Sequence, residues 1–234
     1  MTLRTVFLDF GHTLVRESPS RHAIYAEAAT RAGREVSEQA MAGYMQRAHD
    51  ELPRVAAGAY RYTDEWFVLF IERIFHGYLG FPVSALPALE GELFARFSDA
   101  ATFVLFPGAH ELCQELRAAG LTTGVISNWS PRLEPLLTGL GLAEHLDVVV
   151  CSATEQLEKP DPRIFQLALE RAGGTPGEAL HAGDHAKKDV AAARAVGMSA
   201  VLVDHGGTHV PSPGGPVRVA SLGELLEHVL EQVA

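Results

Sequence analysis

Five short apolar runs of strand length punctuate the chain: Val6–Asp9, Thr122–Ser127, Val148–Cys151, Leu180–Ala182 and Ala200–Val203. Their length and β-branched content predict strands. Helical patterns separate the later runs, as where Leu133, Leu136, Leu137 and Leu140 repeat along one face. Ser130-Pro131 and Asp161-Pro162 each set a capping residue before a proline, which predicts a helix starting at that proline. Val217–Ala220 and Leu222–Val229 predict a last short strand and helix. Strands alternating with helices predict an α/β fold, a parallel sheet with helices on both faces.

Residues 16–102 break that alternation. Met41, Tyr44, Met45, Ala48 and Leu52 form one helical stripe, and Phe67, Phe70, Ile71, Ile74, Phe75 and Tyr78 a second. Leu86, Leu89, Leu93 and Phe97 form a third. The stripes predict an all-helical domain, 16–102, inserted between the first two strands of a core made of 1–15 and 103–234. The aromatic stripe reads first as the core of that bundle. The other reading turns some of these side chains toward a site, where they would choose a substrate. Asp204–His209 and Pro211–Pro216 form a Gly/Pro-rich loop whose histidines are expected in solvent rather than on a metal.

With 234 residues, the chain can build one large domain or a domain plus an insert. Its formal charge of -10 argues against nonspecific binding to nucleic acid or an anionic membrane, so no partner of either kind is expected. No apolar run is long enough to cross a bilayer, and Asp9 interrupts the apolar start that a signal peptide would need. Cys113 and Cys151, the two cysteines, lie in apolar surroundings and read as buried small hydrophobes. A cytoplasmic protein, monomer or homodimer, is the expectation.

The chemistry gathers where apolar runs end. Asp9 closes the first run and is followed by Gly11, His12 and Thr13. Ser127-Asn128 closes the second. Lys159, one of three lysines, lies in Glu158-Lys159-Pro160-Asp161-Pro162, and Asp184 and Asp189 lie in Gly183-Asp184-His185-Ala186-Lys187-Lys188-Asp189. In open α/β sheets, ligands bind beyond the carboxyl ends of the strands. A buried aspartate there needs a cation nearby.

The order Asp9, Ser127, Lys159, Asp184, Asp189 resembles the haloacid dehalogenase-like hydrolase superfamily, in its phosphatase form with a small helical type-1 cap. The likeness spans nearly the whole chain. It implies a Rossmann-like doubly wound core with an inserted helical cap that opens for substrate and closes over it, hinged near Val15–Pro19 and Thr102–Gly108. It implies hydrolysis of a small phosphorylated metabolite through an aspartyl-phosphate on Asp9, the nucleophile. Ser127 and the Asn128 amide would bind phosphate oxygens. Thr13 would support the loop or bind phosphate, with Gly11 and His12 beside it. Lys159 would neutralise Asp9 and the phosphate, and Asp189 would orient Lys159 or reach a metal through water. Mg²⁺ would sit on Asp9, Asp184 and the main-chain carbonyl of Gly11. His185 and Lys187 are expected to face solvent.

Gly11 departs from that pattern, because phosphatases of the superfamily usually carry an aspartate two positions after the nucleophile. That aspartate is a general acid and base, a role worth about 10²–10⁴-fold. Four readings follow: a slow phosphatase favouring good leaving groups; substitution by the neighbouring His12; a branch that does not use that acid; or a weakly catalytic, regulatory binder of phosphate and Mg²⁺. Among such branches, the phosphonate hydrolases need a cap lysine, and residues 16–102 contain none. A 2-haloacid dehalogenase would need an arginine near the cap junction, such as Arg16, Arg21, Arg31 or Arg34. Asp184 beside Asp9 would repel its carboxylate substrate, which favours phosphate.

Overall fold

The computed structural model describes residues 2–209 and 215–233. Pro211–Gly214 of the expected Gly/Pro-rich loop lie outside the described residues. The chain divides into two compact units. One comprises 2–16, Leu105–Trp129 and 133–233, and the other Glu17–Val104 with Ser130–Arg132.

The first unit is built on a six-stranded sheet. Its strands are β1 (Thr5–Leu8), β2 (Thr122–Ser127), β3 (Val148–Cys151), β4 (Ala179–Gly183), β5 (Ser199–Val203) and β6 (Val217–Val219). They lie in the order β6-β5-β4-β1-β2-β3, all parallel. Every residue of β1 is buried, as a central strand covered on both faces requires. Leu8 pairs with Val125 on one side and Ala182 on the other. The ladder runs one step further, where the Asp9 amide donates to the Ala182 carbonyl at 2.8 Å. The carboxyl ends of β1, β2 and β4 therefore lie side by side.

Helices cover this sheet as a doubly wound α/β fold requires. Phe7 and Ile126 pack with Ile164, Phe165, Ala168 and Val190 in one apolar cluster. Helix Pro162–Ala172 starts where the sequence predicts: Asp161 caps it by accepting from the Arg163 amide at 3.0 Å, and Gly173 follows at φ 61°. The other proline signal misplaces its helix, which runs Leu133–Gly139. Pro131 and Arg132 instead form a turn, from which Arg132 pairs with Asp64 at 2.5 Å. The last strand and helix form as predicted, with Ser221 capping Leu222–Leu230.

The second unit contains helices Arg21–Arg31, Glu38–Glu51, Asp64–Glu72 and Leu86–Ser98. Ser20, Ser37 and Thr63 cap the first three by accepting from Ala23, Ala40 and Trp66 amides. The predicted stripes meet in one core. Met41, Ala48, Phe70, Ile71, Ile74, Phe75, Leu89 and Leu93 are buried there, with Tyr44, Phe67, Tyr78 and Phe97 half-buried around them. A short antiparallel ribbon, Val55–Ala56 with Ala59–Tyr60, interrupts an otherwise helical unit. Among the described residues no helix is long and apolar enough to cross a membrane.

Candidate active site

Three adjacent strand ends bring the predicted residues together. Asp9 follows β1, Ser127 ends β2, and Asp184 follows β4. Lys159 reaches the same edge from the loop before Pro162–Ala172. Its Nζ donates to Asp9 Oδ1 at 2.7 Å and to Asp189 Oδ1 at 2.5 Å. Ser127 Oγ donates to Asp9 Oδ1 at 3.0 Å, while Thr13 Oγ1 makes only a long contact, 3.4 Å, to Asp9 Oδ2. One oxygen of Asp9 is thus firmly held and the other weakly.

The main chain of Lys159 is held by Asn128. The Asn128 side chain donates to the Lys159 carbonyl at 2.9 Å and accepts from the Lys159 amide at 2.7 Å. Both ends of that carboxamide are therefore occupied.

Asp189 lies on a π-helical turn, Ala186–Ala191, which directly follows β4 and folds the carboxylate back over the strand end. Gly183 permits this. A Cβ there would lie 2.4 Å from the Asp189 carboxyl carbon, so only glycine lets the side chain lie across the main chain. Asp189 Oδ2 accepts from the His185 amide at 3.0 Å. His181, fully buried in β4, sets Nε2 3.0 Å from Asp189 Oδ1. Burial holds its pKa below the ordinary value, so it is a neutral N–H donor. Sequence reasoning missed His181. The signal was a lone polar residue in Ala179-Leu180-His181-Ala182-Gly183, which reads as an ordinary apolar strand.

The charges do not balance. Burial opposes ionisation of Lys159, yet Asp189 and Asp9 raise its pKa above the usual lysine range. Asp189 is also held against burial: Lys159 and His181 keep it well below the usual carboxylate range. Among the described residues no cation is hydrogen-bonded to the Asp184 carboxylate, and the charge of Lys159 only partly offsets what raises its pKa. Burial first, then the charges of Asp9 and Asp189, push it up to about 7. Asp9, Asp184 and Asp189 each offer an oxygen within 4.8 Å of the others. Carboxylate oxygens clustered in this way fit a hard divalent ion such as Mg²⁺, with Asp9 and Asp184 the less committed donors.

The loop after β1 turns tightly. The His12 amide donates to the Val15 carbonyl at 2.7 Å, with His12 at φ 60° and its side chain exposed. Gly11 lies beneath the ring of Trp129, which meets Phe10 edge-on at 5.0 Å. His185 is exposed as expected, its Nδ1 accepting from the Lys187 and Lys188 amides. His205 and His209 correct their expectation in part, because both are half-buried and bonded to main-chain oxygens. Asp204 accepts from the Thr208 and His209 amides and so curls this loop back onto the site. The His205 ring stacks on Phe106 at 3.7 Å, with Nε2 2.9 Å from the Thr13 carbonyl. His209 Nε2 lies 3.2 Å from the Asp184 carbonyl. Both tether active-site loops through main-chain oxygens, a role that sequence spacing does not signal.

Residues 3–197 match the model of the haloacid dehalogenase-like hydrolase family. The chain is 33% identical over 210 residues to haloacid dehalogenase-like hydrolase domain-containing protein 3 of Bos taurus, covering 87% of this chain and 82% of that protein. It is 31% identical over 250 residues to phosphoserine phosphatase of Thermus thermophilus, covering 95% and 98%. A haloacid dehalogenase-like phosphatase from Thermococcus onnurineus shares the fold with a TM-score of 0.70 at 22% identity, covering 98% of this chain and 99% of that one. Dehalogenases also occur among the solved structures of this fold.

Proposed function

The chain belongs to the haloacid dehalogenase-like hydrolase family, and from that premise we propose that it is a Mg²⁺-dependent phosphatase acting on a small phosphorylated metabolite through an aspartyl-phosphate on Asp9. The observation that carries this reading is the buried relay Asp9–Lys159–Asp189 with Asp184 beside it. Four titratable groups gathered at one edge of the sheet cost stability, and perturbed groups of this kind cluster where a protein does chemistry. A phosphatase among the relatives, alike over nearly its whole length, supports the same class of reaction.

Asp9 Oδ1 is engaged by Lys159 and Ser127, so the weakly held Oδ2 is the attacking oxygen. Oδ2 forms a bond to phosphorus as the bond to the leaving oxygen breaks. Lys159 offsets the charge of the carboxylate and of one phosphate oxygen. Ser127, the Asn128 main-chain N–H and the Thr13 hydroxyl orient the remaining oxygens. Water then attacks phosphorus, releasing phosphate and restoring the carboxylate. Asp9, Asp184 and the Gly11 carbonyl would hold Mg²⁺, which when bound reduces repulsion between nucleophile and phosphate. Asp189 keeps Lys159 charged and aimed.

The test is hydrolysis of p-nitrophenyl phosphate and acetyl phosphate with Mg²⁺ and with chelator. Turnover that needs the metal, and that falls roughly 10³-fold or more in Asp9→Asn, is expected. Full activity in Asp9→Asn would remove the covalent route.

A further inference from the structure

Trp129 follows Ser127-Asn128 at the end of β2, and its main chain is anchored. Its amide lies 3.0 Å from Ser152 Oγ, and its carbonyl accepts from the Cys151 thiol at 3.2 Å and the Ala153 amide at 3.3 Å. Its ring rests on Gly11. A Cβ built on Gly11 would meet Cζ3 at 2.8 Å, and two further ring carbons at 3.6 and 3.7 Å. Carbon atoms in contact lie about 3.5–4.0 Å apart. The indole therefore fills the volume that any side chain at position 11 would enter, two residues after the nucleophile. Phe10 backs the ring edge-on.

The titratable groups around Asp9 are committed elsewhere. Lys159 is shared between two carboxylates, Asp189 accepts from three donors, and His185 Nδ1 accepts from two amides. Asp184 belongs to the acidic cluster that fits a cation. His12 sits on a left-handed turn with its side chain exposed. Over Gly11, two residues after Asp9, where the resemblance would place a general acid, the structure sets the indole ring.

We propose that Trp129 is a specificity-determining residue, which keeps position 11 without a side chain and so selects acyl and aryl phosphates. This rests on the phosphatase reading and narrows it to a substrate class. In such substrates the bond from phosphorus to the leaving oxygen breaks with its electron pair on a carboxylate or phenolate, which departs without a proton. Asp9 Oδ2 gains the phosphoryl group. Water then supplies the oxygen and both protons of the released dihydrogen phosphate, and Asp9 is again a carboxylate. An alkyl phosphate would instead have to expel an alkoxide, and the missing proton donor costs about 10²–10⁴-fold.

The experiment uses the full chain as natural protein, Gly11→Asp, Trp129→Ala and the double variant. Each is assayed with Mg²⁺ on p-nitrophenyl phosphate, acetyl phosphate and O-phosphoserine. The natural protein is expected to prefer the first two by about 10²–10⁴-fold in kcat/KM. Gly11→Asp alone gains nothing on phosphoserine. The double variant raises the ratio of phosphoserine to p-nitrophenyl phosphate turnover at least ~10-fold, within the range of a general acid. A second cycle reads packing without activity: Gly11→Ala lowers Tm by roughly 2–10 °C, and much of that loss disappears when Trp129 is also alanine. Comparable rates on phosphoserine and p-nitrophenyl phosphate in the natural protein would overturn the selection. A gain by Gly11→Asp with Trp129 intact, or additive Tm changes, would overturn the role of the ring. If no variant turns over any substrate, the phosphatase reading fails, and the selection with it. That result differs from the case in which phosphoserine is cleaved well.

Discussion

At the sheet edge, Asp9, Lys159, Asp189 and His181 are 6%, 3%, 1% and 0% exposed, and each lies within 3.0 Å of another of the four. In the helical unit the comparable places are held by Trp66, Ile71, Ile74 and Phe75, all at most 1% exposed. Trp66 stacks on Phe70 with ring centres 5.4 Å apart. Both sets of side chains are buried, but burial means different things for them. Apolar burial is non-directional and scales with area, so the bundle is stabilised by the amount it hides. Charge burial is favourable only through particular partners, and removing one partner leaves the others stranded. The sheet edge therefore carries a built-in liability that the helical unit lacks. A fold retains such a liability where the charges work.

Lys159→Met breaks the comparison most directly. It keeps the length of the stem but leaves Asp9 and Asp189 buried without their shared cation. A loss of about 3–5 kcal/mol is expected by urea unfolding, together with loss of turnover. A variant as stable as the natural protein would show that the edge is not electrostatically tensioned. Phe75→Ala costs a comparable amount, about 3–5 kcal/mol, for a different reason: it opens a cavity in the bundle. Hydrogen exchange separates the two. Protection should fall in the helical unit for Phe75→Ala and in amides of β1 and β4 for Lys159→Met.

The two regions also differ in how legible they were. The bundle core was readable because Met41-Tyr44-Met45-Ala48 and Phe67-Phe70-Ile71-Ile74 repeat at the helical period, and a period needs no knowledge of partners. The strand ends were readable too, since a carboxylate ending an apolar run is an anomaly in itself. What failed was whatever depends on direction across space. His181 looks like one more strand residue until Asp189 folds back over Gly183. His205 and His209 looked like loop residues until Asp204 curled them onto the Thr13 and Asp184 carbonyls. Trp129 over Gly11 is a contact between two chain segments, and no local pattern encodes it. Ser130-Pro131 shows the reverse error. A correct local signal yielded when Arg132 turned away to meet Asp64.

Mg²⁺ sharpens the comparison at smaller scale, because only the acidic edge should respond to it. Binding at 100 times Kd would stabilise the protein by about 2.7 kcal/mol. The pH dependence has a definite sign. Asp184 has a folded-state pKa of about 7, raised from 3.8, so the native state keeps a proton that the unfolded chain has lost. In chelator, its contribution to stability therefore falls as pH rises from about 4 to about 7. Mg²⁺ binds the ionised form and should reduce that fall. Melting curves across this range, with and without the metal, read both effects. Asp184→Asn should remove that fall and the metal response together, leaving the opposite slope that buried, neutral His181 contributes. A fall unchanged in that variant would assign it to another group.

The smallest effect tests the other side of the comparison. Ile71→Val removes one methylene from a side chain that is 1% exposed in the bundle. A packed core feels such a loss, but gently, by about 0.5–1.5 kcal/mol. No partner is stranded, because the missing atoms had neighbours but no obligate bond. The cost should be the same at every pH between 5 and 8, since no titratable group changes its surroundings. It should also be indifferent to Mg²⁺. Denaturant unfolding at two pH values, with metal and with chelator, gives four values that should coincide. If they diverge, the helical unit responds to the acidic edge, and the separation of a packing region from a chemical region is too simple.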